Sequence, residues 1–192
     1  MGQSLGSIFV WYDNPMQLIY VTGVEGSGKS TICKYIANNG YKAVDVDKIG
    51  LSRRYFKRTW KPTDNLPTSS NMSHGWFNDR EWKIRPSDVQ KLKDSSEVGN
   101  VFICGITENF DDIRQIADKV ICLTLPRDIV IERILSRENN DFGKNETELE
   151  YILRKHQNYE NTNKESGSIM IDASSPLSNV DKDILKHTLS ES

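Results

Sequence analysis

The sequence predicts a single α/β domain built around a five-stranded parallel sheet. Five short apolar segments recur along the chain, and amphipathic or polar segments of helical length separate most of them. Short apolar runs without alternation are typical of strands buried on both faces of a parallel sheet. The helices between them supply the right-handed crossovers that such a sheet requires. A length of 192 residues fits one domain with one hydrophobic core.

The predicted strands and helices alternate from residue 18 onward. The strand-like runs are 18–22, 41–45, 101–105, 120–124 and 169–172. Helices are predicted at 30–38, 128–137 and 147–163, and the basic segment 48–58 is also expected to be helical. A last helix is expected to open at Ser175 and Pro176, because a cap residue followed by proline suits a first helical turn.

The composition excludes several classes of protein. Hydrophobic residues make up 36% and charged residues 27%, a balance typical of a globular domain. The formal net charge is −2, so no overall basic excess points to nucleic acid. The longest apolar runs, such as 120–123, are too short to span a membrane. Three widely spaced cysteines predict reduced, packed thiols and a cytoplasmic location; they are Cys33, Cys104 and Cys122.

Residues 1–15 are expected to form a flexible N-terminal extension, and the domain is expected to occupy 16–192. The extension is small, polar and aromatic, and it lacks the charged start of a signal peptide. Gly6 stands where a myristoylation signal would have Ser or Thr. The sequence therefore gives this extension no assigned purpose.

The most specific feature is a glycine-rich motif between the first strand and the first helix. Residues 23–31 read GVEGSGKST and satisfy the pattern G-x-x-x-x-G-K-[ST]. The glycines let successive backbone N–H groups converge on an anion, and the helix N-terminus adds positive charge. The motif predicts ATP binding, with Lys29 at the β- and γ-phosphates and Ser30 on Mg²⁺. The predicted nucleotide-binding residues are Gly23, Val24, Glu25, Gly26, Ser27, Gly28, Lys29, Ser30 and Thr31.

Two carboxylates follow the second predicted strand. Asp45 and Asp47 are two residues apart, a spacing that places side chains on one face of a strand. The carboxyl edge of an open α/β sheet is where ligands bind. There, one carboxylate could hold a magnesium-bound water while the other orients or deprotonates an acceptor hydroxyl. The alternative is a solvated strand end at which Asp47 caps the next segment.

The glycine-rich motif, the Asp-x-Asp pair and the glycine that ends the third strand together resemble the shikimate kinase and gluconate kinase branch of the small P-loop kinases. The resemblance covers 17–189. It implies a three-layer α/β/α P-loop kinase fold with an acceptor-binding insert at about 48–85 and a lid at about 138–148. It also implies that Asp45 serves Mg²⁺, that Asp47 serves the acceptor, and that 104–107 faces the acceptor.

The resemblance extends to the segment before the lid and to the loop after the last strand. Residues 132–137 resemble the family's E-R-x-x-x-R helix. This implies that Arg133 stacks on adenine and that Arg137 approaches the transferring phosphates, two tasks that suit a planar guanidinium. Pro176 resembles a residue that packs on the base. The alternatives are a solvated helix face for the arginines and an ordinary helix start for Pro176.

A local basic patch bears on the acceptor. Between residues 48 and 61 there are no acidic residues and six basic ones: Lys48, Arg53, Arg54, Lys57, Arg58 and Lys61. Such a patch indicates an anionic acceptor, although a solvated helix face would share this composition. The following segment, 60–85, shows no period and is predicted to be a long irregular loop of the functional kind. Its tryptophans could stack on bases or form the core of a lid.

These observations predict an ATP- and Mg²⁺-dependent kinase that transfers the γ-phosphate to a hydroxyl or phosphate of a small anionic acceptor. The expected catalytic residues are Lys29, Asp45, Asp47 and Arg137, and the expected metal ligands are Ser30 and Asp45. Two alternatives stay open. One is a kinase of nucleotides or nucleic acid ends, which would bind RNA or DNA in a salt-sensitive way. The other is a regulatory nucleotide-binding module whose flaps signal to a partner.

Overall fold

The computed structural model describes residues 16–63, 74–96, 99–138 and 140–188. The expected extension 1–15 therefore lies outside the described residues. The elements, in chain order, are β1 (Leu18–Gly23), α1 (Lys29–Asn38), β2 (Lys42–Asp45), β3 (Ser52–Phe56), α2 (His74–Asn78), β4 (Arg80–Ile84), α3 (Pro86–Asp94), β5 (Val101–Cys104), α4 (Phe110–Arg114), β6 (Lys119–Thr124), α5 (Arg127–Ser136), α6 (Glu146–Glu165), β7 (Ile169–Asp172) and α7 (Leu177–Thr188).

The five-stranded parallel sheet predicted from the sequence is confirmed. Its strand order is β2-β5-β1-β6-β7, and every pairing in it is parallel. β1 lies at the centre and all six of its residues are buried, which explains its continuous apolar run. Because the strands are parallel, the carboxyl ends of β1, β2 and β5 meet at one edge of the sheet.

Helices cover both faces of the sheet and make the three layers. On one face, alternate β1 residues such as Val21 pack against α1, α5, α6 and α7. On the other face, residues such as Tyr20 pack against α3 and α4. All three cysteines are buried and free, as predicted. Within the described ranges, no helix is both long enough and apolar enough to cross a membrane.

Two sequence-based predictions between 48 and 85 are wrong. The segment 48–58, predicted to be helical, contains β3, and the segment 60–85, predicted to be an irregular loop, contains α2 and β4. β3 and β4 form an antiparallel hairpin, with Ser52 opposite Ile84 and Phe56 opposite Arg80. The Arg54 side chain of β3 lies on the rings of Trp76 and Trp82, and hydropathy patterns do not show such packing.

Helices α3 and α4 are also not predicted from the sequence, because both are short and carry few apolar residues. The sequence signal for α3 is Pro86 at its first position, with Asp88 in the first turn. Val89 is the only α3 residue that is fully buried, so α3 lacks a long apolar stripe. Short helices of this kind depend on tertiary contacts rather than on their own periodicity.

Gly105, directly after β5, lies against the side chain of Val46. A Cβ atom there would lie 2.2 Å from Cγ2 of Val46, which follows the neighbouring strand β2. The Gly105 N–H also donates to the Val21 carbonyl, at 3.1 Å, so the backbone cannot move away freely. The glycine that ends the third core strand is thus required by packing.

We expect Gly105→Ala to lower the free energy of unfolding by about 1–3 kcal/mol, the usual cost of overpacking a core. Urea unfolding followed by circular dichroism would measure the loss. In a Val46→Ala background the same substitution should cost much less, because the clashing methyl group is gone. Additive effects of the two substitutions would contradict this steric explanation.

Candidate nucleotide and acceptor site

A cleft of about 880 Å³ opens at the carboxyl edge of the sheet. It is lined by the turn after β1, the start of α1, the end of β2, the β3–β4 hairpin, α5 and the loop after β7. The sequence-predicted site residues that line it are Glu25, Gly26, Ser27, Gly28, Lys29, Ser30, Thr31, Asp45, Asp47, Arg133 and Arg137. Gly23, Val24 and Pro176 are not part of the described lining.

The turn between β1 and α1, residues 23–28, is built on glycine conformations and forms a cradle. Gly26 and Gly28 have φ angles of +84° and +94°, in the left-handed region that glycine adopts without strain. At Gly23 a Cβ atom would lie 2.6 Å from the Leu123 carbonyl oxygen and 2.7 Å from Ser27 Oγ. The Gly28 carbonyl accepts from the Thr31 and Ile32 N–H groups, both at 3.0 Å, which closes the first turn of α1.

Lys29 is held by the cradle. Its Nζ donates to the carbonyl oxygens of Gly23 and Val24, at 2.7 and 2.8 Å. Burial lowers the pKa of the Lys29 ammonium, while the nearby carboxylates of Glu25 and Asp47 oppose that shift. The Lys29 side chain thus lies beside the N-terminal turn of α1, an arrangement that suits polyphosphate.

Asp45 ends β2 and reaches the same cleft. Its side chain is 9% exposed, and Oδ1 accepts from the Lys48 N–H at 3.3 Å. Oδ2 is buried, has no hydrogen-bond partner among the described residues, and lies 3.4 Å from Lys48 Nζ. A buried carboxylate oxygen without a hydrogen bond is available to a hard cation, and the Ser30 hydroxyl lines the same cleft.

Asp47 lies in the turn after β2, not on the strand. The reason predicted for its proximity to Asp45 is therefore wrong, because β2 ends at Asp45 and the two residues do not share a strand face. The turn nevertheless brings both carboxylates to the cleft. Asp47 Oδ1 accepts hydrogen bonds from Ser52 Oγ and, at 3.3 Å, from Trp82 Nε1. The hairpin thus orients this carboxylate.

The electrostatic environment makes Asp47 a weaker acid than usual. Desolvation by the surrounding cleft raises the pKa of the Asp47 carboxyl, while the hydrogen bond from Ser52 and the charge of Lys29 oppose the rise. A carboxylate with a raised pKa is a better proton acceptor, and this suits a group that deprotonates a hydroxyl.

Arg133 and Arg137 approach the cleft from α5 and its end. The Arg133 Nη2 donates to the Ala173 carbonyl oxygen at 2.9 Å, which joins α5 to the loop after β7. Arg137 caps α5 and binds the segment beyond it, because Nε donates to the Asn140 carbonyl at 3.1 Å and Nη2 donates to the Phe142 carbonyl. Both guanidinium groups are thus positioned by backbone oxygens and still line the cleft.

Arg54 is a cleft residue that sequence reasoning did not single out among the six basic residues. Its guanidinium carbon lies 5.5–5.9 Å from the ring centroids of an aromatic cage formed by Trp76, Phe77, Trp82 and Tyr151. The Arg54 side chain is only 9% exposed, yet it lines the cleft together with two of these rings. The signal that could have found it is the β3–β4 register, which places Arg54 opposite Trp82.

The amino-acid sequence matches one family model and no curated protein sequence. A family model described as "AAA domain" matches residues 19–154, which include the cradle, the hairpin and both arginines of the cleft. A search of curated protein sequences returns no significant match.

The structure resembles solved small P-loop kinases over most of the chain. A gluconokinase from Sinorhizobium meliloti 1021 superposes with a TM-score of 0.54 at 19% identity, over 88% of this chain and 90% of that one. The shikimate kinase from Acinetobacter baumannii gives 0.54 at 16% identity, over 92% and 97%. The deoxyadenosine kinase from M. mycoides gives 0.53 at 17% identity, over 88% and 97%. These matches confirm the predicted P-loop kinase fold.

In the wild type the Ser52 hydroxyl donates to the charged carboxylate of Asp47 and stabilises it. We therefore expect Ser52→Ala, which removes this donor, to raise the pKa of Asp47 further. A ¹³C NMR titration of side-chain carboxyl groups would measure the shift. Trp82→Phe should act in the same direction but more weakly, since the Trp82 contact is the smaller influence. Ser168→Ala, which removes a hydroxyl that donates to Asn163 and is not part of the described cleft lining, is the control. A fall in the Asp47 pKa in Ser52→Ala would contradict the assignment.

Proposed function

The chain belongs to the AAA domain family, and on this premise we propose that it is an ATP-dependent kinase that phosphorylates a small anionic acceptor. The observation that carries the proposal is the pairing, in one cleft, of a phosphate cradle with a carboxylate and a guanidinium across from it. Structural relatives that act as kinases on gluconate, shikimate or a nucleoside support the same reaction type.

In the proposed complex, the cradle binds the phosphates of ATP through its inward backbone N–H groups. Lys29 releases the carbonyl oxygens of Gly23 and Val24 to pair with the β- and γ-phosphates. Arg133 and Pro176 are the residues placed at the base: Arg133 donates to Ala173 of the loop after β7, and Pro176 belongs to the same loop. Arg137 lies near the transferred phosphate, where its charge stabilises the transition state.

Ser30 and Asp45 fit the Mg²⁺ that such a reaction uses, because both offer oxygen ligands at the cleft and a buried oxygen of Asp45 has no hydrogen bond from the part of the chain that the structure describes. The described residues contain no group of three or more His, Cys, Asp or Glu side chains suited to a metal ion. The two protein ligands would therefore be completed by water and phosphate oxygens, as Mg²⁺ prefers. When bound, Mg²⁺ neutralises charge on the β- and γ-phosphates.

Asp47 and Arg54 are the residues that would contact the acceptor. Ser52 and Trp82 both donate to Oδ1 of Asp47. Oδ2 can therefore accept the proton of an acceptor hydroxyl as the acceptor oxygen bonds to the γ-phosphorus, while the bond from that phosphorus to the β–γ bridging oxygen breaks and ADP leaves. The Arg54 guanidinium, flat and permanently charged, suits a carboxylate or phosphate on the same acceptor. Both residues line the cleft, so one small molecule could touch both.

A nucleic acid end is the second candidate acceptor. The hairpin also carries cations that are exposed outside the cleft, namely Arg53, Lys57, Arg58 and Lys61, and the nearby Trp60 is 40% exposed. Cations interleaved with an exposed aromatic ring suit single-stranded nucleic acid. This acceptor would bind with an affinity that falls steeply as salt is raised, unlike a small metabolite.

An acceptor screen tests the proposed function. ATP and Mg²⁺ would be incubated with sugar acids, nucleosides, nucleoside monophosphates and RNA, and transferred phosphate would be measured. We expect transfer to a small anionic compound, and we expect Lys29→Ala to lower kcat by about a hundredfold or more, since such charge stabilisation is worth ~3–4 kcal/mol. Slow hydrolysis that no acceptor stimulates would instead favour a regulatory nucleotide-binding module.

The two carboxylates should differ in their effects on catalysis. Asp47→Asn should lower transfer by about 10²–10⁴, the usual range for a positioned base, with ADP affinity unchanged. Asp45→Asn should lower activity most at low Mg²⁺ and recover partly in excess Mg²⁺. Steady-state kinetics across a magnesium series, with calorimetry for ADP, would separate the two. Wild-type rates in both variants would reduce the carboxylates to structural roles.

A further inference from the structure

Glu108, in the loop between β5 and α4, joins three parts of the molecule. Its Oε1 accepts from Arg54 Nη1 of the hairpin at 3.3 Å, from the Tyr151 hydroxyl of α6 at 2.7 Å, and from Lys155 Nζ of α6. The Glu108 backbone N–H also donates to the Trp82 carbonyl at 2.7 Å. One carboxylate therefore holds the hairpin and α6 together.

The charge on Glu108 is well stabilised. Burial raises the pKa of its carboxyl, but the charge of Lys155 and the hydrogen bonds from Lys155 and Tyr151 outweigh burial and hold the pKa below its ordinary value. Two cations, Arg54 and Lys155, share this single carboxylate, so the cluster keeps an excess positive charge. Arg54 is the cation that faces the cleft, and an acceptor anion would complete the balance there.

Aromatic contacts continue from this cluster to the segment after α5. The Tyr151 ring stacks on Phe77 with centroids 4.1 Å apart, and Phe77 meets the Phe142 ring edge-on at 6.3 Å. The Phe142 carbonyl in turn accepts a hydrogen bond from Arg137. A continuous set of packed groups thus runs from Arg54, on the acceptor side, to Arg137, on the phosphate side.

We propose that Glu108 is a positioning residue, which fixes the Arg54 guanidinium at the cleft and makes the placement of Arg137 depend on it through α6. The described lining of the cleft does not include Glu108, Tyr151 or Lys155. Any effect of these residues on a bound ligand is therefore transmitted through other residues. The consequence is that the acceptor side and the phosphate side of the cleft become ordered together. This inference rests on the proposed function for its kinetic part only.

The chain offers a closely matched control. Glu81 is also a hairpin-associated glutamate, its side chain is 25% exposed against 24% for Glu108, and it pairs with Lys83 at 3.3 Å. It lies outside the described cleft lining and contacts neither Arg54 nor α6 in the hydrogen bonds and ion pairs of the described chain. Glu81→Gln therefore removes an equivalent charge without touching the proposed connection.

The kinetic arm uses the acceptor that the screen identifies. We expect Glu108→Gln to raise the acceptor KM about tenfold, the loss typical of one charge-assisted hydrogen bond, with the ATP KM unchanged. Tyr151→Phe, which keeps the ring but loses the hydroxyl, should shift the same parameter. In an Arg54→Met background, Glu108→Gln should change the acceptor KM by less than about twofold. Additive effects of Arg54→Met and Glu108→Gln would overturn the proposal.

A second arm needs no acceptor. Amide hydrogen exchange would be measured with and without Mg²⁺ and a non-hydrolysable ATP analogue, which binds at the cradle. We expect the analogue to slow exchange in β3 and β4 of the wild type and of Glu81→Gln, but not of Glu108→Gln or Tyr151→Phe. Equal slowing in all four proteins, or none in the wild type, would overturn the proposal. If no acceptor is phosphorylated, the proposed kinase function is wrong. The hydrogen-exchange experiment still tests whether Glu108 connects the two sides of the cleft.

Discussion

The arrangement of the whole site depends on a close backbone contact at Gly23, where the turn after β1 passes the end of β6. Any side chain at this position would collide with the Leu123 carbonyl and the Ser27 hydroxyl, at 2.6 and 2.7 Å. The turn after β1 therefore folds directly against the end of β6, and the Gly23 carbonyl can hold Lys29. α1 begins at that lysine, so its N-terminal N–H groups point into the cleft. The carboxylates and arginines are arranged around this fixed point.

The charge of the cleft is opposite in sign to that of the whole molecule. The chain has a formal net charge of −2. The described lining nevertheless carries five cationic side chains, Lys29, Lys48, Arg54, Arg133 and Arg137, against three carboxylates, Glu25, Asp45 and Asp47. A positive cleft in an acidic protein concentrates anionic ligands at one place, because the surrounding surface repels them. The three carboxylates partly offset this positive charge and can bind cations or accept protons.

The sequence predicts what is encoded locally and misses what depends on distant contacts. The core strands and the cradle are visible because each is a contiguous run whose pattern reflects its own environment. The hairpin is not visible, since β3 is stabilised by cation–aromatic contacts with residues far along the chain. Likewise, Arg54 differs from Arg53 only by strand face, and its partner Glu108 is 54 positions away. The presence of both Asp residues at the cleft could be anticipated, but not the turn that brings them there.

The β3–β4 hairpin is a separate two-stranded sheet, inserted between β2 and α3 and hydrogen-bonded within itself. Its entry is fixed at Val46, whose carbonyl accepts from the N–H groups of Leu51 and Ser52 at 2.9 and 3.2 Å. None of the five parallel strands uses the hairpin to complete its pairing. During evolution, this insert can be lengthened, shortened or replaced while the register of the parent sheet stays intact. Proteins of this fold can therefore differ in the hairpin and still keep the same turn after β1 and the same parallel sheet.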